Sequence, residues 1–498
     1  MTTLIPKYDQ GSSGATNRPF NLKLAESISV LDFGADNTGA SDSSTAFINA
    51  IASLPSTGGT IYVPNGTYLI NSTINVAKSI YFSLGAVTIN FTVNPGINHT
   101  SGDLSIHGVG QTSSILTSNS NGDLIYSTAA AGTASTGLYK LSIENIRLKD
   151  LLTTQSGTTF STWSTTRTAG AGINIQGTTF NLKNIYAFGF FDSYHIAQSV
   201  TSTIESCISF WSAQHSFFIG YNCTSLILTG TYSFAPQQHG YHLEDNCNYM
   251  TFNSTACDSS GVVGYYLGPG VHYGLSPYNI TFNSIGCEQP GSRVTTGSAI
   301  QLDGVRNILF NEPFIVGIPQ SSLTNTVNGI TTSNVSGSKN AFITVNGGII
   351  GTALSSATLG GYSFNFPTGT TAGSSIIILT NPSETNALLG VNDPDGALVY
   401  QAGLLLTYAS APSGTSVNLN TFSSALPAAS YIITTSVNLG TASAWTTVDL
   451  VAIEVTSSTI THLKTATGIT TAMTGDVFSA TQSSGSAATI TCKILRVG

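Results

Sequence analysis

Two acidic residues, Asp258 and Glu288, occupy matching places in two similar segments of the sequence. Residues 252–258 align with residues 282–288, and a cysteine directly precedes the acid in each segment. Hydrolysis of a glycosidic bond usually needs two carboxyl groups, one that donates a proton and one that activates water or attacks. Two stacked carboxylates repel each other, which raises the proton affinity of one and creates that asymmetry. The spacing therefore predicts Asp258 and Glu288 as a catalytic pair.

A second group of candidates lies in the segment 239–245, where Glu244 and Asp245 follow His242. Leu243 aligns with leucines of the two following repeats, so Glu244 is expected to stack over Gly268. Histidine and acids together also suit elimination, in which a base removes the proton beside a uronic carboxylate. The alternative is that His242 and Glu244 are ordinary exposed strand residues.

Aromatic and cationic side chains near these acids are candidates for binding a sugar. Tyr273 belongs to a glycine-rich insertion that also contains His272, and its ring face suits a C–H-rich sugar surface. Arg293 is expected to pair with an acidic sugar. Tyr194 and Trp211, which lie one repeat apart, are expected to form a further sugar platform.

A repeat of drifting length positions these side chains. Short apolar segments recur with offsets of 22, 22, 24, 30 and 28 residues, taken from Leu182, Ile204, Leu226, Met250, Ile280 and Ile308. Periods of this size are typical of solenoids, and longer repeats indicate loops inserted on one face. Cys257 and Cys287 recur in step with the repeat, which predicts that they form an interior ladder and that the acids after them point outward.

The beginning of the chain carries a distinctive order of elements. A short strand within 29–36, a capped helix over 42–54 and, within 58–68, a second strand ending in a Pro64-Asn65-Gly66 turn are expected. Over residues 28–68 this order resembles the opening of pectate-lyase-like parallel β-helices, especially those of bacteriophage tailspikes. Segments 6–11 and 23–27 resemble the residues that precede this motif in tailspikes.

This resemblance implies an all-β chain built as a right-handed parallel β-helix over residues 28–381, closed by the short N-terminal helix. Residues 1–27 would attach the protein to a phage tail or another tail protein. Regular strands after about residue 382 predict a C-terminal antiparallel β-sandwich over 382–498. The resemblance implies that this domain serves trimerisation or carbohydrate binding. The resemblance further implies a homotrimer of the virion tail, made in the bacterial host cytoplasm, that binds and hydrolyses a capsular or O-antigen polysaccharide.

Composition excludes several other classes. Only 8% of the residues are charged and the net charge is −8, so the clustered cations of a nucleic-acid-binding protein are missing. The sequence contains no run of about 18 apolar residues, so we do not expect membrane insertion. The six cysteines form no metal-ligand pair, and we expect neither a metal nor an organic cofactor. A polysaccharide lyase and a non-catalytic receptor-binding spike remain alternatives, whereas a cellular pectin-degrading enzyme is expected to carry an export signal.

Overall fold

A computed structural model describes residues 7–367 except 21–22, 24–26, 129–138, 156–162, 178, 295, 317–325, 335–336, 338–339 and 352–363, and describes strand backbones between 377 and 496. The chain forms two compact units, Met1–Ala213 and Gln214–Gly498, which are considered separately below. Within the described residues no helix is both long and apolar enough to span a lipid bilayer.

The first unit opens with strand Ser27–Ser29, which leads directly into a 3₁₀ helix over Val30–Phe33. The Ser29 hydroxyl accepts a hydrogen bond from the Leu31 N–H at 3.2 Å, and the Asp32 carboxylate accepts one from the Ser29 N–H at 3.1 Å. This reciprocal capping favours a helical turn. The strand predicted within residues 29–36 is therefore wrong where the helical turn lies.

The predicted amphipathic helix is confirmed and covers Ser44–Ser53. Its apolar side buries Ala46, Phe47, Ala50 and Ile51, as the helical spacing predicts. Phe47 packs edge-on against Tyr68, with ring centroids 5.7 Å apart. The helix thus closes the apolar interior of the first unit.

Parallel strands in the first unit stack in three columns, because one strand from each turn of the chain pairs with its equivalent in the next. The first column contains Ile74–Val76, Ile97–His99, Ile125–Thr128, Ala171–Gln176 and Asp192–Ala197. The second contains Ser27–Ser29, Gly59–Val63, Ile80–Leu84, Leu104–His107, the first part of Lys140–Asp150, Thr179–Phe188 and Val200–Glu205. The third contains Thr38–Asp42, Gly66–Ile70, Val87–Phe91, Ser114–Ser118, the rest of Lys140–Asp150, Thr179–Phe188 and Ile208–Phe210.

Two antiparallel pairs lie outside these columns. Lys7–Tyr8 pairs with Arg18–Pro19, and Thr153–Gln155 pairs with Trp163–Thr165. The second pair belongs to an excursion from the coil within residues 151–172. A buried ion pair lies where this excursion joins the coil. Arg167 Nη2 is 2.8 Å from Asp150 Oδ1, and neither side chain is exposed.

The second unit repeats the three-column arrangement. Its first column contains Phe217–Ile219, His239–Glu244, Val263–Gly268, Thr296–Asp303, Thr326–Ser333, Phe364–Asn365 and Val391–Asn392. The second contains Thr224–Thr229, Asn248–Asn253, Tyr278–Asn283, Arg306–Asn311, Ala341–Asn346, Ile377–Thr380 and Leu398–Ala402. The third contains Tyr232–Phe234, Ala256–Asp258, Gly286–Glu288, Phe314–Val316, Ile349–Gly351, Ser383–Thr385 and Leu404–Ala411.

The register between coils is confirmed where the repeat predicts it. Register partners follow the series Met250, Ile280 and Ile308 in one column and Leu243, Leu267 and Leu302 in another, and all six side chains are buried. Identical positions in successive coils therefore stack at about 4.8 Å. The chain is a parallel β-helix.

An asparagine ladder fixes one corner of the second unit. The amide of Asn283 donates to Asn253 Oδ1 at 2.8 Å, Asn311 donates to Asn283 at 2.8 Å, and Asn346 donates to Asn311 at 2.9 Å. The residue after each of the first three asparagines has a positive φ, which turns the chain there. Each coil thus reuses one polar corner.

Close packing of the interior leaves no room for a side chain at some glycines. A Cβ placed on Gly264 would lie 2.3 Å from Cys287 Sγ, whereas one on Gly286 would meet Ala256 Cβ at 3.4 Å, an ordinary contact.

Antiparallel strands complete the second unit. Leu404–Ala411 and Ala429–Asn438 both pair with Ala488–Arg496, and the sheet continues through Ala444–Glu454 and Ser457–Lys464. A smaller sheet contains Ser416–Thr421, Val477–Gln482 and Ile469–Thr474. Parallel pairing extends into Leu404–Ala411, so the change to antiparallel strands falls later than the predicted boundary at 382.

Candidate functional site

The two predicted acids lie on neighbouring coils of the second unit. Strands Ala256–Asp258 and Gly286–Glu288 pair in parallel, which sets Asp258 opposite Glu288 and Cys257 opposite Cys287. Both cysteines are buried, whereas Asp258 is half-buried and Glu288 is exposed. The predicted stacking of the acids is confirmed by this in-register pairing. Alternation of side chains along each strand turns the acids outward while the cysteines point inward.

The two carboxyl groups have different surroundings. Asp258 accepts hydrogen bonds from Ser259 Oγ at 2.8 Å and from the Tyr232 hydroxyl at 3.3 Å. Burial nevertheless raises the pKa of Asp258 above its ordinary value. Burial, followed by the negative charge of Asp258, raises the pKa of Glu288. Both acids therefore have a raised proton affinity, but Asp258 is half-buried and held by two hydroxyl donors, whereas Glu288 lies at the surface.

Arg293 lies on the same part of the second unit. Its backbone N–H donates to the carbonyl of Gly261 at 2.9 Å, three residues after Asp258. Arg293 is exposed overall, but partial burial of its guanidinium lowers its pKa. The pairing of Arg293 with an acidic sugar stays a prediction.

A second polar cluster surrounds His242 and Glu244. His242 Nε2 lies 3.3 Å from Glu244 Oε2, and the two side chains are only 14% and 11% exposed. The ring of Tyr266, the register partner of His242, lies 4.7 Å from the imidazole. Burial and then the charges of Asp303 and Glu244 raise the pKa of Tyr266 to about 12. The alternative that His242 and Glu244 are exposed strand residues is therefore wrong.

Two further histidines belong to this cluster and were not predicted as site residues. The rings of His215 and His239 stack 5.0 Å apart, and each also lies within 5.2 Å of the His242 ring. Their sequence separation, 239 − 215 = 24, equals that of the register partners Phe218 and His242, 242 − 218 = 24. That coincidence is the signal in the sequence that identifies them as stacked equivalents.

Asp245 has a different position from the one expected of a catalytic acid. Its side chain is fully buried, and its two oxygens accept backbone N–H groups of His272 at 2.7 Å, Tyr273 at 3.1 Å and Leu275 at 3.3 Å. The carboxylate is thus occupied in holding the loop that contains these residues. We correct its predicted role from catalysis to loop anchoring.

The anchored loop presents the predicted sugar-binding aromatics. Tyr273 is exposed, and its hydroxyl accepts a hydrogen bond from Asn222 Nδ2 at 3.2 Å. The His272 ring packs on Tyr221, with centroids 3.9 Å apart. An exposed tyrosine ring held in this way is available for stacking on a sugar.

Tyr194 and Trp211, both in the first unit, are buried instead. The Tyr194 side chain is 0% exposed, and its hydroxyl donates to backbone carbonyls of Ile185 and Ile208. Trp211 is 4% exposed and stacks on Trp163 of the excursion, with ring centroids 6.2 Å apart. The sugar platform predicted for Tyr194 and Trp211 is therefore corrected, because neither ring face is open to a ligand.

Comparisons with known proteins agree with this architecture. Residues 27–215 match the family model described as rhamnogalacturonase A/epimerase, pectate lyase-like. The A-module of mannuronan C-5 epimerase AlgE4 from Azotobacter vinelandii is 12% identical to this chain, with a TM-score of 0.54. The match covers 75% of this chain and 100% of the AlgE4 module. The A-module of AlgE6 from the same organism has 16% identity and a TM-score of 0.51, covering 75% and 99%.

A phage protein also resembles the chain. Tailspike protein 3 of bacteriophage CBA120 has 13% identity and a TM-score of 0.37, covering 79% of this chain and 64% of that chain. A search of curated proteins finds no match to this sequence. The resemblance to pectate-lyase-like parallel β-helices predicted from residues 28–68 is confirmed.

Proposed function

We propose that this protein is a bacteriophage tailspike that binds a bacterial capsular or O-antigen polysaccharide and cleaves it by endo-glycosidic hydrolysis. The observation that carries the proposal is the register pairing of Asp258 with Glu288 on neighbouring coils. Parallel β-helix winding brings two carboxyl groups together at about one strand spacing, and that proximity suits glycosidic cleavage.

Different surroundings support different roles for the two acids. Glu288 is exposed, and the charge of Asp258 helps to raise its pKa, so Glu288 donates a proton to the leaving oxygen. Asp258 accepts hydrogen bonds from Tyr232 and Ser259, which partly offset the rise in its pKa caused by burial. In its ionised form, Asp258 attacks the anomeric carbon or activates water.

Residues around the pair would hold the glycan. Tyr273 offers an exposed ring on the loop held by Asp245, and His272 lies beside it. Arg293 would pair with an acidic sugar of the polymer. In the same proposal, residues 1–27 attach the spike to a phage tail or another tail protein, and three copies form a homotrimer on the virion.

Incubation with a panel of purified capsules and O-antigens tests the activity. We expect reducing ends to be released without the ultraviolet absorbance of an unsaturated uronic acid. Asp258→Asn and Glu288→Gln should each lower turnover about 10²- to 10⁴-fold, as loss of a general acid or base does. Glu205→Gln serves as the control, because Glu205 is a partly exposed acid that pairs with Lys183 on the first unit.

Full cleavage by both folded variants would show that the acid pair is not the catalytic site. Glycan binding without any release of fragments would identify a receptor-binding spike instead. Elimination is the second candidate function, favoured by the contact of His242 with Glu244 beside Tyr266. An ultraviolet-absorbing product that disappears in Tyr266→Phe would support it.

A further inference from the structure

Three histidines of the second unit converge at one place on the first strand column. One ligand nitrogen from each of His215, His239 and His242 lies within 4.8 Å of the others. His215 precedes strand Phe217–Ile219, whereas His239 and His242 belong to the next strand of the column, His239–Glu244. The cluster therefore joins two successive coils, and its rings lie largely or fully out of solvent.

Ring stacking alone does not account for these residues. His215 and His239 are nearly parallel, with 6° between the rings, and His239 stacks in turn on Tyr266 at 5.1 Å. A phenylalanine would provide the same stacking without polar atoms. Among the described residues, the buried Nδ1 atoms of His239 and His242 have no hydrogen-bond partner. Buried polar atoms without partners are costly and point to a missing ligand.

We propose that His215, His239 and His242 bind a divalent transition-metal ion of the borderline class, for which Zn²⁺ is the representative. Imidazole nitrogen is a preferred ligand of Zn²⁺, Co²⁺, Ni²⁺ and Cu²⁺, whereas Ca²⁺ and Mg²⁺ require oxygen ligands. Three histidines leave a fourth position of a tetrahedral ion for water or a further ligand.

Glu244 provides the outer support that such sites usually have. Its carboxylate lies 3.3 Å from His242 Nε2, which leaves Nδ1 as the free nitrogen of that ring. Metal-binding histidines commonly donate the other ring N–H to a carboxylate, which fixes the tautomer and the ring direction. His242 thus shows the pairing expected of a metal ligand.

Only small movements are needed to close the site. Ligand nitrogens of a tetrahedral zinc site, each about 2.0–2.1 Å from the metal, are roughly 3.3 Å apart. The present separations reach at most 4.8 Å, so rotations that move each ring by less than about 1 Å suffice. A bound ion would then fasten the coil of His215 to the coil of His239 and His242.

Metal titration of the full-length chain tests this site independently of any glycan activity. The purified protein is treated with a chelator, dialysed, and titrated with Zn²⁺ by calorimetry and with Co²⁺ by absorption spectroscopy. We expect one ion per chain, a tetrahedral Co²⁺ spectrum, and a higher Tm in saturating Zn²⁺ because the ion binds only the folded state.

His239→Phe is the informative variant, because it keeps the ring between His215 and Tyr266 and removes only the nitrogens. It should weaken Zn²⁺ binding at least 100-fold and abolish the metal-dependent rise in Tm, while the metal-free protein keeps its Tm. Glu244→Gln should weaken binding about 10- to 100-fold. His107→Phe is the matched control, because His107 faces Glu144 on the first unit and should leave Zn²⁺ binding unchanged.

Two results would overturn the proposal. Either the wild-type chain binds no Zn²⁺ in this titration, or a folded His239→Phe chain binds as tightly as the wild type. Loss of cleavage in Asp258→Asn would not bear on this site, and loss of Zn²⁺ binding would not bear on the acid pair, so the two proposals fail separately.

Discussion

The loop anchored by Asp245 yields a prediction that separates a structural acid from a catalytic one. In Asp245→Asn the amide keeps only one oxygen. If that oxygen continues to accept from Tyr273 and Leu275, the new NH₂ group faces the N–H of His272, which now donates to Asp245 at 2.7 Å. The variant therefore loses the shortest of three hydrogen bonds and places two donors against each other.

The size of the effect follows from that single bond. A hydrogen bond to a charged acceptor contributes about 1.5–3 kcal/mol to stability. Because about 1.4 kcal/mol is a tenfold change in an equilibrium constant, local opening of the loop should increase roughly 10- to 150-fold. The rest of the coil keeps its contacts, so the loss is confined to the loop.

Hydrogen–deuterium exchange followed by mass spectrometry measures this opening. Peptides covering residues 269–277 should exchange faster in Asp245→Asn by the factor given above. Under the proposed function, KM for the glycan should rise because Tyr273 is no longer held, while kcat is retained. Asp123→Asn is the matched control, since Asp123 accepts the Ala171 N–H at 2.7 Å in the first unit and should leave the loop unchanged.

Two outcomes would refute the reasoning. Unchanged exchange over 269–277 in Asp245→Asn would show that the three hydrogen bonds do not hold the loop. Loss of kcat with a protected loop would return Asp245 to the catalytic role predicted from the sequence.

Three further predictions concern stability. Arg167→Met should lower the free energy of unfolding by about 3–5 kcal/mol, because it leaves the Asp150 carboxylate buried without its cation. The double variant Arg167→Met, Asp150→Asn should recover much of this loss. Urea unfolding followed by tryptophan fluorescence measures both effects. Gly264→Ala should cost about 1–3 kcal/mol through overpacking, whereas Gly286→Ala should be nearly neutral in the same assay. Because the pKa of Asp258 is raised on folding, its contribution to stability falls as pH increases from the ordinary value to the raised one. Asp258→Asn should thus raise Tm at pH 7 but not at a pH below both values, and an equal Tm difference at both pH values would contradict the shift.

The coil interior could be read from the sequence because its pattern is local and repeats. One register is kept by Leu243, Leu267 and Leu302 although the intervening loops change length. The buried cysteine before each acid indicates that the acid points outward. Burial and alternation decide both features, and each is visible in the residue types.

Features that depend on distant packing were less accessible. Trp211 follows a strand, and as an aromatic residue it suits a sugar-binding surface, but the ring of Trp163 in the excursion stacks on it. The 3₁₀ helix over Val30–Phe33 forms because Ser29 and Asp32 cap each other, which a strand-like pattern does not reveal. His215 and His239 become neighbours only once the offset of 24 residues is known from register partners elsewhere in the coil.

The asparagine ladder has a consequence for how such a protein changes over time. Its hydrogen bonds stay at 2.8–2.9 Å although the linked residues are 30, 28 and 35 positions apart. Insertions or deletions elsewhere in a turn are therefore absorbed without disturbing the winding. Surface loops of a turn can therefore be lengthened, shortened or exchanged while the scaffold beneath them stays the same.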